Sequence, residues 1–433
     1  MRRLNLLFAV AAGLWCAPGA LASGWCGTGE LSTDRPDAVT GRQVHAIYAV
    51  PSDGTDTVAT GAPRMADDIA SIDSWWQGQD ATRVPRFDQA VFPTGTCVDI
   101  SFVRLVDPAS AFVGNANAAF TRISADLGTA GFDNPFKKYS VYFDGPSVQQ
   151  DVCGTGGGAF DSGPSYAVVW LQGCPDVPSD SIGAHELLHA LGALPLGAPH
   201  ACTPATDPFG VADTGHPCDS TQDVLYPVNS GAPLTQLVLD VGHDDYYAHS
   251  GSWNDIQDSL WLLGLNVPQV QLTVSMAGAG SIQSDLPGLD CSTPCATAWQ
   301  QGTTVSLIAT PTPKTRFIRW QGACTGNADC TLTLDSAQAA QAVFGPTRIP
   351  VRVRTTGKGH VLCVPRCSSS FVAGTGLTLH AIAAKGWRFA GWSGGCKGKR
   401  LACLPATDFA LTVHATFKKQ PAPKPRTKAR TKR

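Results

Sequence analysis

The sequence contains very little glutamate, and after its N-terminal residues it lacks long apolar runs. Only two of its 34 acidic residues are glutamates, and Glu186 is the last of them. No later glutamate is therefore available to bind a metal ion or to act as a base. A membrane-spanning helix needs roughly 20 consecutive apolar residues, and no segment after residue 22 provides them. The sequence predicts no transmembrane segment, and we expect no nucleic-acid partner.

Glu186 lies between two histidines that are four positions apart, His185 and His189. On a helix such residues lie one above the other, so both imidazoles can bind one Zn2+. The Glu186 carboxylate would accept a proton from a water that the ion activates and pass it to a leaving amine. Aspartate would be too short for this. The alternative is a helix that carries two histidines by chance, because this motif alone is weakly specific.

The residues on either side of the motif predict a buried helix. Ser181-Ile182-Gly183-Ala184 precedes it and Ala190-Leu191-Gly192 follows it. These segments are typical of a capped, largely apolar helix that ends at a glycine.

A tetrahedral zinc site needs a third protein ligand, and two later histidines are candidates. Position 195, where a compact HExxHxxGxxH pattern would have histidine, is Pro195. His200 and His216 follow, and the spacing after Gly192 does not by itself choose between them.

The segment from His216 to Asp219, followed by Asp223-Val224-Leu225-Tyr226-Pro227, resembles the end of the active-site region in matrixin-type metzincins. The resemblance implies that His216 is the third ligand of one catalytic Zn2+. It also implies that Leu225-Tyr226-Pro227 forms the tight turn beneath the metal. Two features depart from that family: a long insertion precedes His216, and Leu225 replaces methionine. His200 remains the alternative ligand.

The N-terminal 22 residues resemble a removable signal peptide, with Arg2 and Arg3, an apolar run and the small-residue site Ala20-Leu21-Ala22. We therefore expect a secreted, extracellular protein, associated with the cell surface if a later segment binds there. The fourteen cysteines after Cys16 predict structural disulfides. Local grouping predicts the pairs Cys291–Cys295, Cys324–Cys330, Cys363–Cys367 and Cys396–Cys403. For the six cysteines of the first half, Cys26–Cys97, Cys153–Cys174 and Cys202–Cys218 is one pairing among several that the sequence leaves open.

Residues 23–266 are predicted to form the peptidase-like domain. Strands are expected at 44–50, 98–105, 139–143 and 166–171, and helices at 64–76, 110–127 and 252–263, besides the motif helix. This order resembles the metzincin catalytic domain, so the expected fold class is an α/β metzincin-like domain with a twisted sheet, helices and a Met-turn-like loop. Two small β-rich modules stapled by disulfides are expected to follow it.

The two modules, residues 269–345 and 349–418, repeat one pattern. Arg316-Phe317-Ile318-Arg319-Trp320 recurs as Arg388-Phe389-Ala390-Gly391-Trp392, each followed by a glycine and a cysteine. They resemble the divergent internalin-type B repeats of bacterial secreted and surface proteins. Trp320 and Trp392 are expected in the module cores, with exposed binding platforms as the alternative.

The last residues, 419–433, form a basic tail that is predicted to be disordered and to bind an anionic wall polymer or surface, or else to act only as a solubilising end. Asp240, Asp244 and Asp245 are candidates for a structural Ca2+ site, with a solvated turn as the alternative. Carboxylates that orient imidazoles are expected at Asp219 and Asp223. Candidates for stabilising an oxyanion are Tyr226, Tyr246 and Tyr247.

These patterns predict a secreted, monomeric zinc endopeptidase of metzincin type that acts on proteins or peptides. One alternative is a cell-surface binding or adhesion protein with a degenerate protease-like domain. Another is a surface protein in which the repeats carry the function and the enzyme processes only its own chain.

Overall fold

The computed structural model describes residues 25–27, 31–194, 197–208, 210, 215–228 and 231–421. The predicted signal peptide and most of the predicted basic tail lie outside these residues. The chain divides into two compact units. The first reaches Gln269 and includes Leu286–Gly288, and the second contains the other C-terminal residues.

The first unit contains three α-helices, nine strands and three short 3-10 turns among its described residues. The helices are α1 Val58–Gln79, α2 Ala116–Thr129 and α3 Ser179–Leu191. The strands are β1 Gln43–Val50, β2 Arg83–Pro85, β3 Gln89–Phe92, β4 Gly95–Val98, β5 Ile100–Arg104, β6 Lys137–Phe143, β7 Gly154–Gly157, β8 Ser165–Trp170 and β9 Leu262–Gly264. The 3-10 turns are Ala109–Phe112, Leu234–Gln236 and Ile256–Asp258.

Five of these strands form one sheet in the order β5-β1-β6-β8-β7. The first four are parallel, and β7 at the end of the sheet runs antiparallel to β8. Strand β1 is buried along its whole length because helices cover both faces of the sheet. Its residues Val44 and Tyr48 pack in a cluster with α1 and α3, whereas Ile47 and Ala49 pack in a cluster with α2.

Most of the elements predicted for the first 191 residues are confirmed. The predicted strands at 44–50, 139–143 and 166–171 correspond to β1, β6 and β8, and the strand at 98–105 corresponds to β5. The predicted helices at 64–76 and 110–127 correspond to α1 and α2, although α2 begins only at Ala116. The preceding Ala109–Phe112 is a separate 3-10 turn.

The expected α/β metzincin-like fold class is wrong. The described residues form 24 strands and only three α-helices, so the molecule is β-rich. No α-helix follows Leu191 in the described residues. The predicted helix at 252–263 is replaced by the turn Ile256–Asp258 and by β9, which pairs with β2. The Asp255 carboxylate accepts the N–H groups of Ala248, His249 and Gln257, and such local side-chain bonds compete with helix formation.

The second unit consists of two β modules. The strands of the first module are β10 Gln269–Ala277, β11 Gly280–Ser284, β12 Asp290–Cys291, β13 Cys295–Gln300, β14 Thr304–Pro311, β15 Thr315–Gly322, β16 Cys330–Thr333 and β17 Gln338–Pro346. The strands of the second are β18 Arg348–Thr356, β19 Gly359–Val364, β20 Ser370–Val372, β21 Thr378–Ala383, β22 Trp387–Gly394, β23 Ala402–Cys403 and β24 Leu411–Lys419.

Each module is built from two sheets, ordered β13-β10-β17-β15 and β12-β11-β14-β16 in the first, and β20-β18-β24-β22 and β19-β21-β23 in the second. In each module the two central strands of one four-stranded sheet are parallel. These are β10 and β17 in the first module and β18 and β24 in the second. Trp320 and Trp392 are only 3% and 6% exposed, so the prediction that they belong to the module cores is confirmed.

The four disulfides predicted from local grouping are present. The six cysteines of the first unit, whose pairing the sequence left open, form Cys26–Cys97, Cys153–Cys174 and Cys202–Cys218. Two lie within each β module, and three lie in the first unit. Disulfides form and persist in oxidising compartments, so their number is consistent with an extracellular protein. Among the described residues, no helix is long and apolar enough to cross a membrane.

Candidate metal centre

Helix α3 positions the histidine motif in the interior of the first unit. All but three of its residues are buried, as the sequence predicted. The helix ends at Gly192, which adopts φ +88° and whose N–H bonds to the carbonyl of His189. A Cβ at this position would lie 2.7 Å from the backbone nitrogen of Phe160. Glycine is therefore required both by the backbone angle and by the neighbouring chain.

Hydrogen bonds to α1 fix the start of α3. The Ser179 hydroxyl donates to Asp68, and Arg64 donates to the same hydroxyl at 3.0 Å. Ser71 of α1 donates to Asp180 at 2.6 Å. These contacts hold α3 against a long helix, so the side chains that it projects have a defined direction.

The structure brings the Nε2 atoms of His185, His189 and His216 together. Each of the three Nε2–Nε2 distances is 3.2 Å. Unprotonated imidazole nitrogens this close repel one another through their lone pairs, and a cation bound between them would remove that repulsion. Tetrahedral zinc with Zn–N bonds of about 2.0–2.1 Å requires nitrogen atoms about 3.3–3.4 Å apart. The three histidines therefore fit the ligand set of a zinc ion with a fourth position left for water or substrate.

His185 is oriented by a backbone carbonyl that sequence reasoning missed. Its Nδ1–H donates to the carbonyl oxygen of Val224 at 2.7 Å, which leaves Nε2 as the acceptor that faces the other two histidines. Val224 belongs to the segment that the resemblance predicted as the turn beneath the metal. The next residue, Leu225, is fully buried in the core cluster that contains α3.

Asp223 does not orient an imidazole as predicted but organises this turn. Its Oδ1 accepts the N–H of Leu225 at 2.7 Å and the hydroxyl of Tyr246 at 2.8 Å. Its Oδ2 accepts the N–H of Val241 at 2.9 Å. Burial nevertheless raises the pKa of Asp223 to about 7. The carboxylate thus connects the turn with a second loop.

A small disulfide-bonded ladder carries His216 back to α3. The N–H of Cys202 donates to the carbonyl of His216, and the N–H of Cys218 donates to the carbonyl of His200, both at 2.9 Å. Cys202 and Cys218 form the disulfide. In this register His200 lies opposite Cys218 and His216 lies opposite Cys202, and His200 is outside the histidine cluster. Its Nδ1 contacts Asp245 Oδ2 at 3.1 Å, and the nearby carboxylates raise its pKa.

Strand β7 packs directly against Glu186. A Cβ on Gly154 would lie 2.3 Å from Glu186 Oε1, and a Cβ on Gly156 would lie 2.5 Å from the Glu186 carbonyl oxygen. Both glycines belong to the run Gly154-Thr155-Gly156-Gly157-Gly158, and a run of glycines is the signal expected where backbone approaches closely. Cys153, which precedes Gly154, is fixed to Cys174 by a disulfide.

Burial shifts the titration of the site residues in opposite directions. It raises the pKa of Glu186 well above its ordinary value. It lowers the pKa of His189 well below its ordinary value, with His185 and His216 contributing in the same direction. Neutral imidazoles are the form that binds metal ions.

The remaining predicted residues lie outside the histidine cluster. The Asp240 carboxylate accepts the N–H groups of residues 245–247. Asp244 and Asp245 lie instead with His200 and Asp219, and one side-chain oxygen or nitrogen atom from each of these four residues lies within 4.8 Å of the others. Ca2+ binding there stays a prediction. The Tyr246 hydroxyl bonds to Asp223 and the Tyr247 hydroxyl to Asp80. Stabilisation of an oxyanion by a tyrosine stays a prediction.

A family model described as "Divergent InlB B-repeat domain" matches residues 270–348 and 349–421. This confirms the predicted resemblance of the two modules. A search of curated proteins found no match. No metzincin family is shown by these comparisons, so the resemblance of residues 216–227 to matrixin-type metzincins stays a prediction.

Several solved structures are similar to this chain at low identity. OgpA from Akkermansia muciniphila is 10% identical, with 92% of this chain and 99% of OgpA covered and a TM-score of 0.28. Catalytically inactive OgpA in complex with an O-glycopeptide substrate gives 10% identity, the same coverage and a TM-score of 0.25. The minor pilin of Streptococcus agalactiae is 9% identical, with 36% of this chain and 99% of the pilin covered and a TM-score of 0.16. TM-scores this low carry no argument about function.

Proposed function

We propose that this chain is a secreted, zinc-dependent endopeptidase. The observation that carries the proposal is the convergence of three imidazole Nε2 atoms, 3.2 Å apart, two of which belong to the helix that also presents Glu186. Three nitrogen ligands with an open fourth position are typical of catalytic rather than structural zinc.

The residues would divide the chemistry between them. Zinc bound by His185, His189 and His216 would supply a Lewis acid that polarises the substrate carbonyl and acidifies water. Glu186 would accept the proton of the attacking water and then deliver it to the nitrogen of the leaving group. The peptide bond would then break to release a neutral amine, and no amide anion would have to leave. The Val224 carbonyl would keep His185 in the tautomer that can bind the metal.

The position of β7 supports a peptide as the substrate. β7 is the last strand of its sheet, and it packs against the same helix that carries Glu186. An extended chain can add to such a sheet edge through main-chain hydrogen bonds, which places successive peptide groups at regular spacing. An endopeptidase site requires this kind of sequence-tolerant binding of the substrate backbone.

The test is Glu186→Gln, which keeps the shape of the side chain but cannot accept the proton. We expect the variant to keep one zinc per chain by elemental analysis and to lose hydrolysis of casein by roughly a hundredfold or more. Glu186→Ala should behave in the same way. Hydrolysis by zinc-loaded Glu186→Gln at the wild-type rate would contradict the mechanism.

The match to B repeats favours a second candidate, a surface-binding protein whose protease-like part is inactive. The two candidate functions predict different behaviour of the wild-type protein. Zinc-loaded wild-type protein that hydrolyses neither casein nor a peptide library, while it binds cells, would support the binding protein. Activity that chelation removes and zinc restores would support the peptidase.

A further inference from the structure

The two β modules differ sharply in charge although they share one architecture. Residues 270–348 contain four lysines or arginines and four aspartates, whereas residues 349–421 contain eleven lysines or arginines and the single aspartate Asp408. The basic excess therefore belongs to the second module as a folded unit, and it is separate from the basic residues that follow position 421.

Strand pairing allows the modules to be compared position by position. Val351 pairs with Leu411 in the second module, as Leu272 pairs with Gln338 in the first. By this register, Arg352 and Arg354 stand where the first module has Thr273 and Ser275. In the same way His414 stands where the first module has Gln341. Three outward positions of one sheet have therefore exchanged neutral side chains for arginines and histidine.

These basic side chains lie on the outer face of the sheet β20-β18-β24-β22. Along β18, Ile349 and Val351 are buried in the module core, and Arg352 and Arg354 on the opposite side are exposed. Arg354 lies beside His414 on β24. Farther along, Arg388 lies directly opposite Lys418. We call this set of residues (Arg352, Arg354, Arg388, His414 and Lys418) the basic face.

Nothing within the second module neutralises the basic face. Like charges directly opposite each other on neighbouring strands are destabilising, so the pair of Arg388 and Lys418 costs stability in the isolated chain. The one acidic residue of the module, Asp408, forms an ion pair with Arg316 of the first module. A destabilising charge arrangement on an exposed face, absent from the sister module, is explained if an anionic partner binds there.

We propose that the basic face binds a linear anionic polysaccharide that carries sulfate, phosphate or carboxylate groups. Arginine forms paired hydrogen bonds with each of these groups. The other outward side chains on this face include Thr412, Thr416 and Ser393, which can bond to sugar hydroxyls. Arg352 and Arg354 are two residues apart on one strand, about 6.7 Å, so they can contact successive charged groups of an extended polymer.

The same face is poorly suited to the two other common polyanions. Trp387, Phe389, Trp392 and Phe417 pack into the module core, so in the described residues these aromatic rings offer no stacking platform for nucleobases. The exposed apolar side chains Leu362 and Ile382 belong to the other sheet, β19-β21-β23. Among the described strands of the sheet that carries the basic face, Val372 on β20, opposite Arg348, is the one large apolar side chain that is exposed. Insertion into a membrane surface would need several apolar groups beside the basic ones, and a single valine does not provide them.

The test compares full-length chains by binding to dextran sulfate and to polygalacturonate, with neutral dextran as the blank. Arg352→Thr with Arg354→Ser gives the second module the residues of the first, which are already compatible with this sheet. We expect affinity for at least one charged polymer to fall on the order of tenfold at about 0.1 M salt and the difference to shrink as salt rises. Which of the two polymers responds more strongly distinguishes a preference for sulfate from one for carboxylate.

Three controls separate this face from general charge. Arg83→Ser with Arg122→Ser removes two positive charges from the first unit and should leave affinity nearly unchanged. Arg352→Lys with Arg354→Lys keeps the charge and should retain part of the affinity, which excludes misfolding as the cause of a loss. A chain that ends at Pro421 should still lose affinity when Arg352 and Arg354 are replaced. Glu186→Gln should bind like wild type, so the result is independent of the peptidase proposal.

Wild-type affinity in the Arg352→Thr, Arg354→Ser protein would overturn the proposal, as would loss of all binding on removal of the residues after 421 alone. Tighter wild-type binding to double-stranded DNA or to phosphatidylglycerol vesicles than to either polysaccharide, at equal concentration of anionic groups, would also overturn it. Reduced binding that is confined to the charged polysaccharides would support it.

Discussion

Gly154 and Gly156 determine how closely the sheet edge approaches the motif helix. Alternate residues of a strand face the same side, and here both face α3. A Cβ at Gly156 would lie 2.5 Å from the carbonyl oxygen of Glu186 and 2.9 Å from its Oε2. Gly157 points the other way, and a Cβ there would meet nothing within 4 Å. Neighbouring glycines thus have very different tolerance for a methyl group.

We expect Gly156→Ala to reduce peptidase activity by about a hundredfold, because the clash is with backbone and displaces Glu186 by a substantial fraction of an ångström. Gly157→Ala should keep activity within about twofold, since an alanine there has open space. Steady-state hydrolysis of a fluorogenic peptide measures both. Equal activity of the two variants would show that β7 does not constrain Glu186.

Single substitutions can test whether His216 or His200 is the third zinc ligand. His216→Ala should weaken zinc binding on the order of a hundredfold or more, because water is a poorer and less fixed ligand than imidazole. His200→Ala should change zinc binding little, because its ring contacts Asp245 and lies outside the histidine cluster. Competition with a chelator of known affinity measures both constants. The reverse ranking would transfer the third ligand to His200.

At the scale of elements, a loop that contains no regular secondary structure supports the candidate centre. The turn from Asp223 to Tyr226 presents the Val224 carbonyl to His185, and its shape depends on the bonds of Asp223. Tyr246 links this turn to the next loop, since its hydroxyl donates to Asp223 and accepts the N–H of Asp240. Both residues are buried, so water cannot replace a lost partner.

Tyr246→Phe should lower the free energy of unfolding by about 1–3 kcal/mol, because it leaves the Asp240 N–H buried without its acceptor. It should also weaken zinc binding severalfold through the loosened turn. Tyr247→Phe is the matched control, because that hydroxyl bonds to Asp80 and Trp76 instead. Urea unfolding and chelator competition separate the two effects. If both variants bind zinc equally well, the turn does not need Tyr246.

Sequence patterns predicted elements well where hydrophobic periodicity decides the conformation. The buried run of β1 and the apolar helix α3 follow from burial on two faces and from a glycine end, and both were predicted. The residues from 252 to 263 have a helix-like apolar pattern, yet the Asp255 side chain bonds locally and β9 pairs with a strand far away in sequence. Periodicity contains no information about either interaction.

The candidate site shows the same limit. His185, Glu186 and His189 are recognisable because helix geometry alone brings them together. The placement of His216 depends on a disulfide and a two-stranded ladder, and the carbonyl of Val224 has no side-chain signature at all. Contacts made by backbone atoms of distant segments were therefore missed, including the approach of Gly154 and Gly156.

At the scale of the whole molecule, catalysis and attachment are expected to be separable. Each proposed peptidase residue lies before Gln269, in the first compact unit, and the basic face lies in the second. Each β module has its own two disulfides and its own tryptophan in the core. Neither proposed activity thus requires side chains from the other unit.

A chain that ends at Asn266 should bind zinc and hydrolyse a soluble peptide at a rate within about threefold of full length, because its core and ligands are complete without the modules. The same chain should lose retention on a dextran sulfate matrix, since the basic face is absent. The Glu186→Gln form of the shortened chain gives the background rate. A shortened protein that is folded and zinc-loaded but inactive would mean that the modules contribute to the cleft. Full retention on the matrix would instead place the anionic site in the first unit and contradict the assignment of the basic face.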